Sequence, residues 1–255
     1  MDYFARLPEG CISEILSRTS ALDASRSSVV SKEVRSVAQN DLVWERFLPL
    51  DYQEIISTAV SPLKYATKKD LYFTLSHSPL LINQAKMSFS IDKRSGRKCF
   101  MVGARELMIS WKGCWDFIPN TMSRFSEVAK LRSIGWIHIE AKIKTKILSE
   151  NTKYGAYLVL WVESMEGLRS ANTVIRRLKM MNDEEKKKER IESRGTGKIA
   201  KIRGDGWLEI DMGSFYNGSA ADHQEEEEVE AWLTEINTPH LKSGLMLQGI
   251  EFRPL

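Results

Sequence analysis

From Leu7 to about Leu50 the apolar positions recur at helical spacing. Ile12, Ile15 and Leu16 form an i, i+3, i+4 stripe, and Leu22, Val29, Val30, Val34 and Val37 continue the periodic pattern. Pro8-Glu9 stands where a helix begins, because proline's missing amide costs nothing in a first turn. Asp23 opens the next periodic segment, placed to cap it or to favour its N-terminus. The pattern predicts several short helices in succession. Residues 51–97 read as a mostly helical connector: Ser61-Pro62 can start a helix carrying Leu63, Ala66, Leu71 and Leu75, and Ser78-Pro79 breaks it. The polar Asp92-Lys93-Arg94-Ser95-Gly96 marks a boundary.

From Lys98 onward a two-residue period takes over. In Trp136 to Ile143 one face carries Ile137, Ile139, Ala141 and Ile143, and the other carries Trp136, His138, Glu140 and Lys142. Trp207 to Met212 alternates in the same way and is entered through Gly204-Asp205-Gly206, whose Asp-Gly pair favours a tight turn. Further strand candidates are 100–111, 157–162, 229–236 and 245–252. This many strands without regularly alternating helices predict an antiparallel β-sandwich. Two charge runs, Asp183 to Arg190 and Glu225 to Glu228, read as solvated loop or helix surface.

Composition narrows the class. The 255-residue chain is 42% hydrophobic and 28% charged, as expected of a globular protein. Its 37 basic and 34 acidic residues leave a net charge of only +3, too small to argue for nucleic acid by counterion release. No apolar run approaches the roughly 20 residues that cross a bilayer. Cys11, Cys99 and Cys114 form an odd set without tight spacing, which suits free thiols in the reducing cytosol or nucleus. Lys186 to Arg190 is a short basic stretch compatible with nuclear entry.

Catalytic and metal chemistry is not visible. His77, His138, His223 and His240 stand apart from any cysteine or carboxylate at metal-ligand spacing. Gly195-Thr196-Gly197-Lys198 is like the end of a phosphate loop, but Ile199 replaces the needed hydroxyl residue. Cys99 or Cys114 with His138 shows no sign of an activated nucleophile.

The run Leu7-Pro8-Glu9-Gly10-Cys11-Ile12-Ser13-Glu14-Ile15-Leu16, continued by Leu22-Asp23, Val29-Val30-Ser31-Lys32 and Asp41-Leu42-Val43-Trp44, resembles an F-box. A helical segment this short cannot bury all its apolar residues against itself, so part of its apolar face is left for a partner. The resemblance implies that the partner is a Skp-type adaptor, and through it a cullin. By residue match, Leu7, Pro8, Ile12, Ile15, Leu16, Leu22, Val30 and Trp44 would carry the adaptor interface and the small core behind it. Thr19 and Ser25-Arg26-Ser27-Ser28 depart from the pattern, standing where such motifs usually carry more leucine.

Five ordered blocks, 103–111, 127–133, 154–159, 203–210 and 248–254, are similar to the plant phloem protein 2 lectins, the Nictaba-type family. The two resemblances together identify the chain as a member of the plant F-box proteins of the phloem protein 2-B type. They imply an F-box over 1–50, the connector over 51–97 and a lectin-like β-sandwich over 98–255. They also imply a site for N-acetylglucosamine oligomers or the N-glycan core, in which Trp111 and Trp115 supply aromatic faces and Glu228 and Glu235 orient hydroxyls. The loop Lys112-Gly113-Cys114 between the tryptophans is shorter than the family's. The residues themselves leave Trp111 open between packing beneath the sandwich and facing sugar.

The expected function is that of the non-catalytic substrate receptor of a Skp-cullin-F-box ubiquitin ligase, taking a glycoprotein or protein target, with no cofactor, nucleic acid or membrane. Two alternatives stand beside it: a stand-alone lectin, and an F-box receptor whose sandwich binds protein rather than sugar.

Overall fold

The computed structural model describes residues 7–162, 171–180, 187–195, 199–219, 227–236 and 241–255. Asp183 to Lys186, Glu225, Glu226, His223, His240 and Thr196-Gly197-Lys198 lie outside them.

The N-terminal region is a run of short helices: α1 (Glu9–Ser17), α2 (Ala21–Ser27), α3 (Lys32–Val37) and α4 (Asp41–Glu45). Pro8 is the residue before the first turn of α1, as its chemistry requires. Ser20, rather than Asp23, caps α2. Its Oγ accepts the Asp23 amide at 3.1 Å and donates to the Asp23 carboxylate at 2.8 Å, a reciprocal pairing that satisfies an orphan donor. Ser31 and Asn40 cap α3 and α4, each side chain accepting one amide of the first turn, Val34 and Leu42 respectively. The helices close on Trp44, which is fully buried, donates its indole N–H to Ala38 O at 2.8 Å and packs edge-on against Phe47.

The connector departs from expectation. Only α5 (Tyr52–Ser57) and α6 (Lys68–His77) are helical. Thr67 caps α6, so Ser61-Pro62 precedes the helix without starting it; Ser78 ends it, as expected. Tyr72 and Phe73 of α6 pack on Trp44, and Asp41 of α4 accepts the Lys68 amide at 2.8 Å, which ties α6 to the N-terminal helices. Strands begin at Leu80, inside the expected connector. β1 (Leu80–Ile82) pairs with β2 (Met87–Ile91), and β2 with β3 (Lys98–Gly103), because Phe89 and Ile91 need the sheet to bury their side chains.

The remaining strands are β4 (Met108–Ile109), β5 (Trp115–Pro119), β6 (Glu127–Leu131), β7 (Ile137–Lys144), β8 (Thr152–Val162), β9 (Asn172–Met180), β10 (Lys187–Gly195), β11 (Ile199–Ile202), β12 (Leu208–Asn217), β13 (Glu227–Glu235) and β14 (Leu245–Pro254). They form two antiparallel sheets. The larger runs β1-β2-β3-β14-β8-β12-β11, with β6 attached to β14 and β5 to β6; the smaller runs β10-β9-β13-β7-β4. Lys187 to Arg190 and Glu227-Glu228 therefore lie on strands, where the charge runs suggested loop or helix.

The sheets face each other across one apolar core. Ile137, Ile139, Ala141 and Ile143 of β7 meet residues such as Leu158, Ile210 and Ile250, and the same cluster continues through α6 to Trp44, Ile12 and Leu16. A second, small cluster covers the outer face of the larger sheet, where Trp207 is buried and donates to Met122 O at 3.0 Å.

Candidate functional site

The two tryptophans of Ile109 to Phe117 part company at a left-handed turn. Trp111 has φ 53° and ψ 59°, a conformation that costs a non-glycine residue about 1 kcal/mol and persists only where its surroundings hold it. The hold comes from both sides. Ser110 donates its amide to His138 O at 3.0 Å and its Oγ accepts the His138 amide at 3.1 Å, while Trp111 O accepts the Cys114 amide at 2.7 Å. The chain then makes a 3₁₀ turn over Lys112–Cys114 and crosses to the larger sheet as β5.

Trp111 is thereby left 61% exposed, and Trp115 is 4% exposed, with its indole N–H donated to Ser110 O at 3.1 Å. Trp115 was expected to face sugar. The structure places it in the core because β5 pairs with β6 and sets Trp115 opposite Leu131.

Glu235 is likewise fully buried. It lies an even number of residues from Val229, Ala231 and Leu233, whose side chains fill the core, so strand parity turns it inward. Glu228 lies on the opposite, outer face, across from Lys144 and Leu178. Six residues of β7 separate that row from His138 beside Ser110, about 20 Å at the rise of a strand. The four expected site residues therefore do not converge.

A different set does. Trp136 is 42% exposed, and its ring centroid lies 6.1 Å from that of Trp111 at an interplanar angle of 75°. Next to the pair runs a polar row on the outer face of the smaller sheet. His138 Nε2 lies 3.1 Å from Glu140, and Lys142 spans Glu140 at 3.6 Å and Glu230 at 2.5 Å. Arg176 donates to Glu230 through Nε at 2.9 Å and through Nη2 at 2.5 Å, and its guanidinium lies 4.6 Å from the centre of the Trp232 ring. Burial pushes the Glu140 carboxyl up, but the His138 hydrogen bond and the Lys142 and Arg176 charges outweigh it and hold the group below the usual carboxylate range. The hydrogen bond to Glu230 raises Lys142. Both groups stay charged at neutral pH.

Such a face combines what a pyranose needs. The indoles offer flat apolar surface, and the partly exposed His138, Lys142 and Arg176, held in place by the buried Glu140 and Glu230, offer polar contacts beside it. The β7 alternation had already placed Trp136, His138, Glu140 and Lys142 on one face. The contribution of β13 and β9, bringing Glu230, Trp232 and Arg176, depends on sheet order.

In the N-terminal helices the eight F-box matches divide. Ile12, Leu16 and Trp44 form the small core, whereas Leu7, Pro8, Ile15, Leu22 and Val30 are exposed. Val29 and Leu42 extend the uncovered apolar set.

The F-box domain family matches residues 4–46, and the phloem protein 2 family matches residues 97–254. The chain belongs to the F-box proteins of the phloem protein 2-B type. Relatives of this F-box protein in Arabidopsis thaliana span nearly its whole length. Putative F-box protein PP2-B12 is 38% identical, covering 98% of this chain and 98% of its own, and F-box protein PP2-B10 is 36% identical, covering 98% and 94%. F-box protein At2g02240 is 38% identical, covering 98% of this chain and 80% of its own. Among solved structures, a study of carbohydrate-binding modules of the β-sandwich superfamily supplies a chain with TM-score 0.34 and 12% identity, covering 61% of this chain and 56% of that one. A likeness that distant carries no argument about this F-box protein.

Proposed function

We propose that this chain is the substrate-recognition subunit of a Skp-cullin-F-box ubiquitin ligase. It performs no bond chemistry itself. The observation that carries the reading is the division of the F-box residues: Trp44, Ile12 and Leu16 close a core, while Ile15, Leu22 and Leu42 on the same short helices, and Val29 and Val30 in the turn after α2, stay uncovered. Uncovered aliphatic side chains on so small a unit suit a partner of matching apolar surface, here the Skp-type adaptor.

The sandwich captures the target, and the outer face of the smaller sheet is the surface for it. The Trp111–Trp136 pair beside the His138–Glu140 row supports recognition of a glycan containing N-acetylglucosamine. Holding both the ligase and the target raises the effective concentration of ubiquitin donor at the acceptor lysine. The three free cysteines suit work in the reducing cytosol or nucleus.

The test is ubiquitin transfer in a reconstituted ligase, with one glycoprotein presented intact and after removal of its N-glycans. Transfer to the intact form alone, lost in Trp136→Ala, supports the reading. Equal transfer to both forms makes the sandwich a protein-binding module.

A further inference from the structure

The N-terminal helices and the sandwich leave a cleft of about 740 Å³ between them. One wall is the segment that follows α4, from Arg46 to Asp51; another is the hairpin turn joining β2 to β3; the third is the turn before β8, from Lys146 to Asn151. Five cationic side chains line it, Arg46, Arg94, Arg97, Lys98 and Lys146, against two carboxylates, Asp51 and Glu150, a surplus of three positive charges. Arg46 also pairs with Glu14, outside the lining, at 3.7 Å. Lys98 is buried and paired with Asp51 at 2.8 Å, so that pair cancels. Among the described residues the Arg94 and Arg97 guanidinium groups are in no ion pair.

The hairpin that carries these two arginines is braced. Asp92 Oδ1 accepts the Arg94 amide at 3.1 Å, the Ser95 amide at 2.8 Å and the Ser95 hydroxyl at 2.7 Å, and Asp92 and Arg97 close the turn with a 2.8 Å backbone bond. Gly96 takes φ +68°, which lets the turn run close to Phe47 O and the Tyr72 hydroxyl of the N-terminal unit. Two exposed arginines are thus presented by a braced loop at the mouth of the cleft. Like charges so placed repel one another. Ser95, Ser149 and Asn151 add neutral hydrogen-bonding groups to the lining.

We infer that this cleft binds a phosphate-bearing group, held by Arg94 and Arg97 from the sandwich side and Arg46 from the F-box side. The planar guanidinium fork matches the spacing of phosphate oxygens and pairs with them through two parallel charge-assisted bonds. A multiply charged anion relieves the repulsion between Arg94 and Arg97, which a neutral sugar does not; Arg46, on the opposite wall, shares its charge with Glu14 and supplements that pair. Two sources share this chemistry, a soluble polyphosphate and a phosphorylated side chain of a bound protein. The inference stands apart from the glycan face and from the adaptor surface, since neither supplies a residue to the cleft's arginine set.

The test uses the full chain at moderate salt, titrated calorimetrically with inorganic tripolyphosphate and with a phosphoserine peptide beside its unphosphorylated twin. Three proteins are compared: wild type, the double variant Arg94→Gln/Arg97→Gln, and Lys93→Gln, which removes one charge from the same hairpin outside the cleft lining. Expected are binding of at least one phosphate probe by wild type, a loss of about tenfold or more in affinity in the double variant, and a change of less than about twofold in Lys93→Gln. The probe that binds identifies the source. Both arginines are exposed, and circular dichroism checks that the double variant is folded. Absence of binding by either phosphate probe, equal binding of the unphosphorylated peptide, or an equal loss in Lys93→Gln overturns the inference.

Discussion

Trp111 and Trp136 meet edge to face, 6.1 Å between centroids and 75° between planes, although 24 residues of chain and two crossings between the sheets separate them. The contact exists because Ser110 is pinned to the His138 backbone on both sides and the left-handed turn at Trp111 swings its ring toward Trp136. One indole braces the other, so each presents a fixed surface at little further cost in side-chain entropy.

Replacing either exposed tryptophan removes half of that surface without opening the core. Trp111→Ala and Trp136→Ala are each expected to weaken binding of N-acetylglucosamine oligomers by roughly five- to tenfold, with thermal stability nearly unchanged. Trp115→Ala is expected to do the reverse, destabilising the fold by about 3–5 kcal/mol through the cavity it leaves. Sugar titration paired with denaturant unfolding of the three variants separates the roles.

Acid should act on the other side of the sandwich. Glu251 lies on the outer face of the larger sheet among Arg124 at 3.0 Å, Arg203 at 2.6 Å and Arg253 at 3.1 Å. Burial opposes its ionisation, yet these three cations bring the carboxyl down from 4.5 to about 2. Because the folded value lies below the unfolded one, the ionised group stabilises the fold above about pH 4.5 and loses that effect as pH falls toward 2. The difference corresponds to something on the order of 3 kcal/mol. Unfolding of wild type and Glu251→Gln is expected to differ most above pH 5 and to converge near pH 2; a constant gap across this range would contradict the assignment.

Gly249 marks a register shift in β14 where the strand crosses closest to β3. A Cβ built there would lie 2.1 Å from Val102 O, a backbone atom that cannot turn aside. Gly249→Ala is expected to cost at least about 2 kcal/mol, beyond the usual range for an exposed strand position. Chemical denaturation reads it directly.

Much of this architecture was legible in the residues, for reasons that particular positions make plain. The two-residue period of Ile137 to Ile143 placed four apolar side chains inward, and they are the inner face of β7. Pro8, Asp205-Gly206 and Ser78-Pro79 marked a helix start, a turn and a helix end through backbone chemistry that depends little on context. Glu228 and Glu235 are seven residues apart in one strand, so they face opposite sides and cannot both touch one ligand. The fate of Trp111 and Trp115 was less accessible. Their spacing of four allows a shared face on a helix, and only the left-handed turn, fixed by bonds to His138, sends one out and the other in. The union of Trp111 with Trp136, and of Lys142 with Glu230 and Arg176, follows from the order β9-β13-β7-β4, which is set by long-range packing rather than by any local pattern.

The receptor role rests on the uncovered apolar side chains of α1 and α2, and adaptor binding tests it most directly. Calorimetric titration of the full chain with a Skp-type adaptor is expected to show a stoichiometric complex. Ile15→Asp with Leu22→Asp, both exposed and outside the Trp44 core, is expected to abolish it while leaving the melting temperature of the free chain within a few degrees of wild type. Failure of the folded wild-type chain to bind any adaptor, or undiminished binding by the double variant, would contradict the account.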